Sequence, residues 1–126
     1  MYRCLVVAFA AALVVTHAAA QVQRNFPQHA LRGELVMADP PDVLVNGKVA
    51  RLAPGSRIRG QNNMLQMPGA LSGARLWVHY TMDQQGLLFD IWVLRPEELA
   101  KKPWPATKSE AQSWSFDPVA QIWVKP

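Results

Sequence analysis

Three groups of residues in this chain have the types and spacing to do chemistry. His79 and Asp90 are the first: a carboxylate beside an imidazole orients it and raises its pKa, and Thr81 is the nearest hydroxyl. Trp77 and Trp92 are the second, two indoles able to stack on sugar rings, bases or an apolar partner. The third is Met64-x-x-Met67 with His79 or His29, a thioether and imidazole set suited to Cu(I). Each has a plainer reading. His79 with Asp90 is first of all a cross-strand pair on an outer sheet face. The indoles form a minor core if another segment covers them, and methionines in apolar surroundings usually pack. No G-x-S-x-G, H-E-x-x-H or S-x-x-K signature occurs from Gln21 onward, so no catalytic residue is assigned and no enzyme is expected. No cofactor is expected either.

These side chains are positioned by one stretch, Ala74 to Leu94, which reads as a long β-hairpin. Strand residues alternate faces, so Leu76, Val78, Tyr80 and Met82 share a side, as do Leu87, Phe89, Ile91 and Val93. The two sets merge if Met82 faces Leu87, Tyr80 faces Phe89, Val78 faces Ile91 and Leu76 faces Val93. Asp83-Gln84-Gln85-Gly86 is then the turn. The opposite face pairs Trp77 with Trp92, His79 with Asp90, Thr81 with Leu88 and Arg75 with Leu94. Tyr80, Phe89, Val78 and Ile91 become the expected centre of the core.

The rest of the chain is punctuated by turns. Leu31 to Ala38 is a strand with Leu31, Leu35 and Met37 on one face, broken by Asp39-Pro40-Pro41. Asp42 to Leu52 is a hairpin about Asn46-Gly47, the favoured type I′ pair, which opposes Val45 to Lys48, Leu44 to Val49, Val43 to Ala50 and Asp42 to Arg51. Ala53-Pro54-Gly55-Ser56 reads as a turn feeding a short strand, Arg57-Ile58-Arg59. Gly60 to Gly73, with Asn62 and Asn63, fits neither helical nor strand period and is the first place to seek a site. Arg95 to Ala100 carries proline and two acids as a helix start does. Trp114 to Pro126 is apolar for a terminal segment and should dock, on its own barrel or on a partner.

Arg3, an apolar run from Leu5 to Val15 and Ala18-Ala19-Ala20 form the pattern of a cleavable signal peptide over residues 1–20, implying a periplasmic or secreted protein. The single cysteine, Cys4, leaves with it. Thiolate metal sites, cysteine nucleophiles and redox dithiols are thereby excluded. The net charge of +4 becomes +3 without Arg3; the remaining basic residues are scattered, so no nucleic-acid interface is expected and the charge reads as a solubility feature. Residues 21–30 read as a flexible leader, 31–100 as the barrel domain and 101–126 as linker and docking tail. No membrane span should remain after signal removal.

Five or six short strands with close turns indicate an all-β domain: a small, partly open antiparallel barrel with one short helical turn, or alternatively a β-sandwich. The run from Val43 to Arg59 and the YTMDQQG–FDIWVL hairpin resemble the small OB-like barrel domains of secreted bacterial proteins. That resemblance covers half of the chain and implies a fold, not an activity. The setting of Met64, Met67 and His79 is also similar to periplasmic copper and silver chaperones, although their M-x-M strand motif is missing here. The expectation is a non-enzymatic exported domain that binds a protein or an envelope component. Its candidate binding residues are Trp77, Trp92, His79, Asp90, Asn62, Asn63, Trp114 and Trp123. A soft-metal binder using Met64, Met67 and His79 is the alternative, and a hydrolase-like enzyme using His79 and Asp90 is third. Oligomeric state is left open.

Overall fold

Asn46 and Gly47 take φ angles of 51° and 79°, the left-handed pair that a type I′ turn requires. The computed structural model describes residues 22–126; the expected signal peptide lies outside the described residues. In chain order the strands are β1 (Leu31–Met37), β2 (Asp42–Val45), β3 (Lys48–Arg59), β4 (Leu65–Gln66), β5 (Arg75–Met82) and β6 (Leu88–Val93). Two helices follow, α1 (Pro96–Leu99) and α2 (Lys108–Ser113), and then a hairpin of β7 (Ser115–Asp117) and β8 (Ile122–Val124). The Asn46-Gly47 hairpin has the register that its turn dictates, Asp42 opposite Arg51 through Val45 opposite Lys48.

The small all-β barrel is present, and it is closed. β1 pairs with β2 and β5, β5 with β6, and β2 with β3, while β3 lies parallel to β6 and completes the circuit. Closure depends on the stretch expected as a Pro-Gly turn. Ala53 to Ser56 is instead a kink inside the long β3, with Gly55 at φ 76° and a register shift between Leu52 and Arg57. Pro54 is exposed, where its missing N–H costs no ladder bond. The kink lets one half of β3 pair with β2 and the other half with β6. Inside the barrel lie Leu31, Leu35, Met37, Val43, Val45, Leu52, Ile58, Val78, Tyr80, Leu88 and Ile91. Gly33 sits among them because a Cβ there would crowd Tyr80 and Val45 at 3.2 Å.

The β5–β6 register differs from the alternating one. Tyr80 faces Ile91, Val78 faces Val93 and His79 faces Trp92, and a shift then brings Met82 opposite Leu88. Between the fixed pairs β6 carries one residue more than β5, a bulge. Two local bonds hold it. The Asp83 carboxylate accepts from the N–H groups of Gln85 and Leu87, drawing Leu87 into the turn, and the Thr81 hydroxyl accepts from the Asp90 N–H at 3.1 Å. Leu88 therefore enters the core in place of Phe89, which stays half-buried with the Arg57 guanidinium over its ring. Trp77 pairs across to Glu34 of β1, not to Trp92.

A second core forms on the outer face of β5 and β6. It joins Phe26, Ala30, Leu94, Trp104 and Trp123, with Trp92, Leu99, Trp114 and Phe116 packed at its margin. The tail thus docks in cis. The stretches read as leader and linker contribute as much: Phe26 and Trp104 are buried, the Trp104 indole N–H donates to Ala30, and Arg32 N–H donates to Pro105. The Gln121 side chain accepts from Phe26 N–H at 2.9 Å, joining tail to leader. Helical structure exceeds the single turn expected, since α2 follows an N-cap from Thr107 to Glu110 and a 3-10 turn spans Pro68–Leu71. Among the described residues, no helix is long and apolar enough to cross a membrane.

Candidate functional site: an arginine-lined cleft

Arg24, Arg59 and Arg95 converge on one cleft of about 790 Å³, which Asn62, Asn63 and Trp92 also line. Four separate segments supply them: the stretch before β1, the end of β3, the loop after it, and the junction of β6 with α1. Arg95 is the N-cap of α1, and its own backbone N–H is held by the Glu98 carboxylate at 2.8 Å. Its side chain donates to the carbonyls of Gln61 at 2.6 Å and Val22 at 3.0 Å. It is nearly buried, yet no carboxylate among the described residues lies within ion-pair reach of its guanidinium.

Arg24 is satisfied. It forms a bidentate pair with Glu98 and donates to the carbonyls of Gly60 and Val93. Arg59 is nearly unengaged, its one carboxylate contact being Asp90 at 3.8 Å, and Asp90 is shared with Arg57 at 3.1 Å. Three arginines and no carboxylate line the cleft; Arg24 is paired with Glu98 behind it, and Arg59 has only the distant Asp90, so the lining is net positive. Buried charge is costly unless compensated, so a net positive lining at an open cleft favours an anion. Asn62 and Asn63 add amide donors and acceptors at the rim, and Trp92 adds a partly exposed indole.

The residues singled out from the sequence do not form one site. Trp92, Asn62 and Asn63 meet in the cleft. Trp77 and Trp114 line a different groove of about 550 Å³, with Arg32, Lys102 and Trp104. Trp123 is buried in the second core. His79 and Asp90 are not partners: Asp90 turns to the arginines of β3, and His79 faces Trp92. The bulge separates them. His79 is fully buried, stacked on Trp104 at 4.1 Å and met edge-on by Phe26 at 4.3 Å. Its Nε2 accepts from Arg32 Nε–H at 3.2 Å, so the proton resides on Nδ1. Met64 and Met67 are 65% and 76% exposed in the loop after β3, so the Met64, Met67 and His79 set is not assembled.

Burial is the main reason that the His79 imidazole is driven from its ordinary value down to about 2, with the charges of Arg32 and Arg24 adding to it. The ring is neutral at any ordinary pH. Burial likewise lowers Arg32 to about 10, against the opposing pull of Glu98. Arg32 donates to the carbonyls of Glu98, Leu99 and Lys101, tying α1 to the barrel. His79 and Arg32 are therefore structural, and Thr81 is buried and engaged in the bulge.

The arginines were missed because they stand singly in the sequence and meet only after folding. The nearest signal is Arg59 beside Gly60-Gln61-Asn62-Asn63. No family model, curated protein or solved structure matches the chain.

Proposed function

We propose that this is an exported, non-enzymatic binding domain of OB-like type whose ligand carries an anionic group and is an envelope component. The observation that carries the reading is Arg95, a nearly buried cation in the wall of the cleft with only carbonyl partners. Arg59 beside it supplies a guanidinium with spare donors, and the fork of Arg suits phosphate or carboxylate. The asparagines would select polar neighbours of that group, and Trp92 would stack on a ring or an apolar edge. The OB-like reading is supported by the strand circuit β1–β2–β3–β6–β5, with its parallel closing pair.

The test is an NMR titration of the mature protein with inorganic phosphate and with glucuronate as separate probes. The Trp92 indole, the Asn62 and Asn63 amides and the Arg95 Nε–H should shift together, and Arg59→Gln should weaken the response about fivefold or more. Shifts absent from those groups, or unchanged in Arg59→Gln, overturn the assignment.

A further inference from the structure

Beside the cleft, the chain leaves three large apolar side chains in water. Met64, Leu65 and Met67 are 65%, 66% and 76% exposed, Leu65 on the two-residue β4 that ends the sheet order and the methionines flanking that strand. Leu65 pairs directly with Arg59, so the apolar residues adjoin the positive lining. Scattered exposed apolar residues need no explanation, but a cluster rimmed by polar groups marks an interaction surface.

We infer that this loop docks on an anionic phospholipid surface, Met64, Leu65 and Met67 entering the headgroup boundary while Arg59 and Arg95 take lipid phosphates. This rests on the anion-binding reading of the cleft and names the source of the anion. Charge complementarity decides the occupant. Interfacial binding needs an apolar wedge and adjacent cations on the same side, and both are here. A partner strand is the competing occupant, yet β4 has only two residues, Leu65 and Gln66, too short an edge to template one. Unbranched Met side chains adapt to an irregular acyl surface.

The test is vesicle co-sedimentation of the mature protein, comparing phosphatidylcholine alone with phosphatidylcholine containing phosphatidylglycerol. Binding should require the anionic lipid and fall as salt rises. Arg59→Gln should weaken it about fivefold, the loss of one cation near a charged surface. The triple variant Met64→Ser, Leu65→Ser, Met67→Ser should weaken it more than tenfold. These residues are exposed, and an unchanged melting temperature confirms that the variants fold. A control, Val119→Ser with Val124→Ser, alters exposed apolar residues on the tail hairpin and should bind as wild type does. Binding to neutral vesicles as strong as to anionic ones, no binding to either, or full binding by the triple variant overturns the inference. If phosphate still shifts Trp92 while vesicles do not bind, the cleft reading stands and the membrane assignment alone falls. If phosphate shifts nothing, both fall.

Discussion

Acid should unfold this protein through one residue. His79 is fully buried and held near a pKa of about 2, against about 6.5 for an imidazole in the unfolded chain. Above that unfolded value both states are neutral and the residue has no pH-dependent effect. Below it the unfolded chain takes up a proton that the folded protein refuses. Stability is therefore lost as pH falls from about 6.5 towards 2, at a slope approaching 1.4 kcal/mol per pH unit. Between pH 7 and pH 5 the loss amounts to about 2 kcal/mol, on the order of 10 °C in Tm for a domain of this size. The comparison variant is His79→Gln, whose amide oxygen can still accept from Arg32 Nε–H but does not titrate. Urea unfolding followed by tryptophan fluorescence at several pH values gives both slopes. Subtracting the variant removes every other group. Wild type should be steeper than the variant by most of that 1.4 kcal/mol per unit between pH 6 and pH 5. Parallel slopes would refute the burial argument and mean that the imidazole is reached by water.

The bulge on β6 predicts that Leu88→Ala costs about 2–5 kcal/mol and Phe89→Ala less than about 1.5, the reverse of a strictly alternating strand; denaturant melts of the two decide it. Glu98→Gln strips Arg24 of its carboxylate in a buried setting and should cost on the order of 3 kcal/mol in a denaturant melt. Truncation after Thr107 removes Trp123 and Phe116 from Trp104, and should lower Tm sharply and produce concentration-dependent aggregation by light scattering. A truncated protein as stable and monomeric as the full chain would mean that the second core contributes nothing.

The parts of the fold legible in the sequence were those set by local chemistry. Asn46-Gly47 dictates its turn and the turn dictates the register, so the four pairs of that hairpin follow with no knowledge of the rest. Pro96, Glu97 and Glu98 mark the start of α1 for equally local reasons. Alternation along β1 worked because that strand is regular, placing Leu31, Leu35 and Met37 in the core. It failed on β6, where period 2 assumes one residue facing one. The side chains that hold the bulge, Asp83 and Thr81, act by bonding backbone, and no hydrophobic pattern registers that. The Pro-Gly kink was misread for a similar reason: the chemistry of a turn is also that of a bend within a strand, and only barrel closure separates the two.

The candidate site was less legible because it is made of what two cores leave over. The barrel interior takes apolar residues from five strands, β1, β2, β3, β5 and β6. The second core then takes Phe26, Trp104 and Trp123, sealing the imidazole that looked most chemical in the sequence. At one rim Arg59 has a distant carboxylate, Arg95 bonds only carbonyls, and Met64, Leu65 and Met67 face water. A buried guanidinium without a carboxylate, beside exposed apolar groups, is the feature on which the proposed anion binding rests. The sequence could show Met64-x-x-Met67 as soft donors because the spacing is local. That these residues border a cationic cleft depends on Leu65 pairing with Arg59, on Arg95 reaching back to Gln61, and on Arg24 crossing from before β1 to Glu98. The last two are long-range contacts and the first closes an irregular loop that fits no strand period, so the exposed methionines, read for their sulfur, are better understood by their apolar surface and their neighbours.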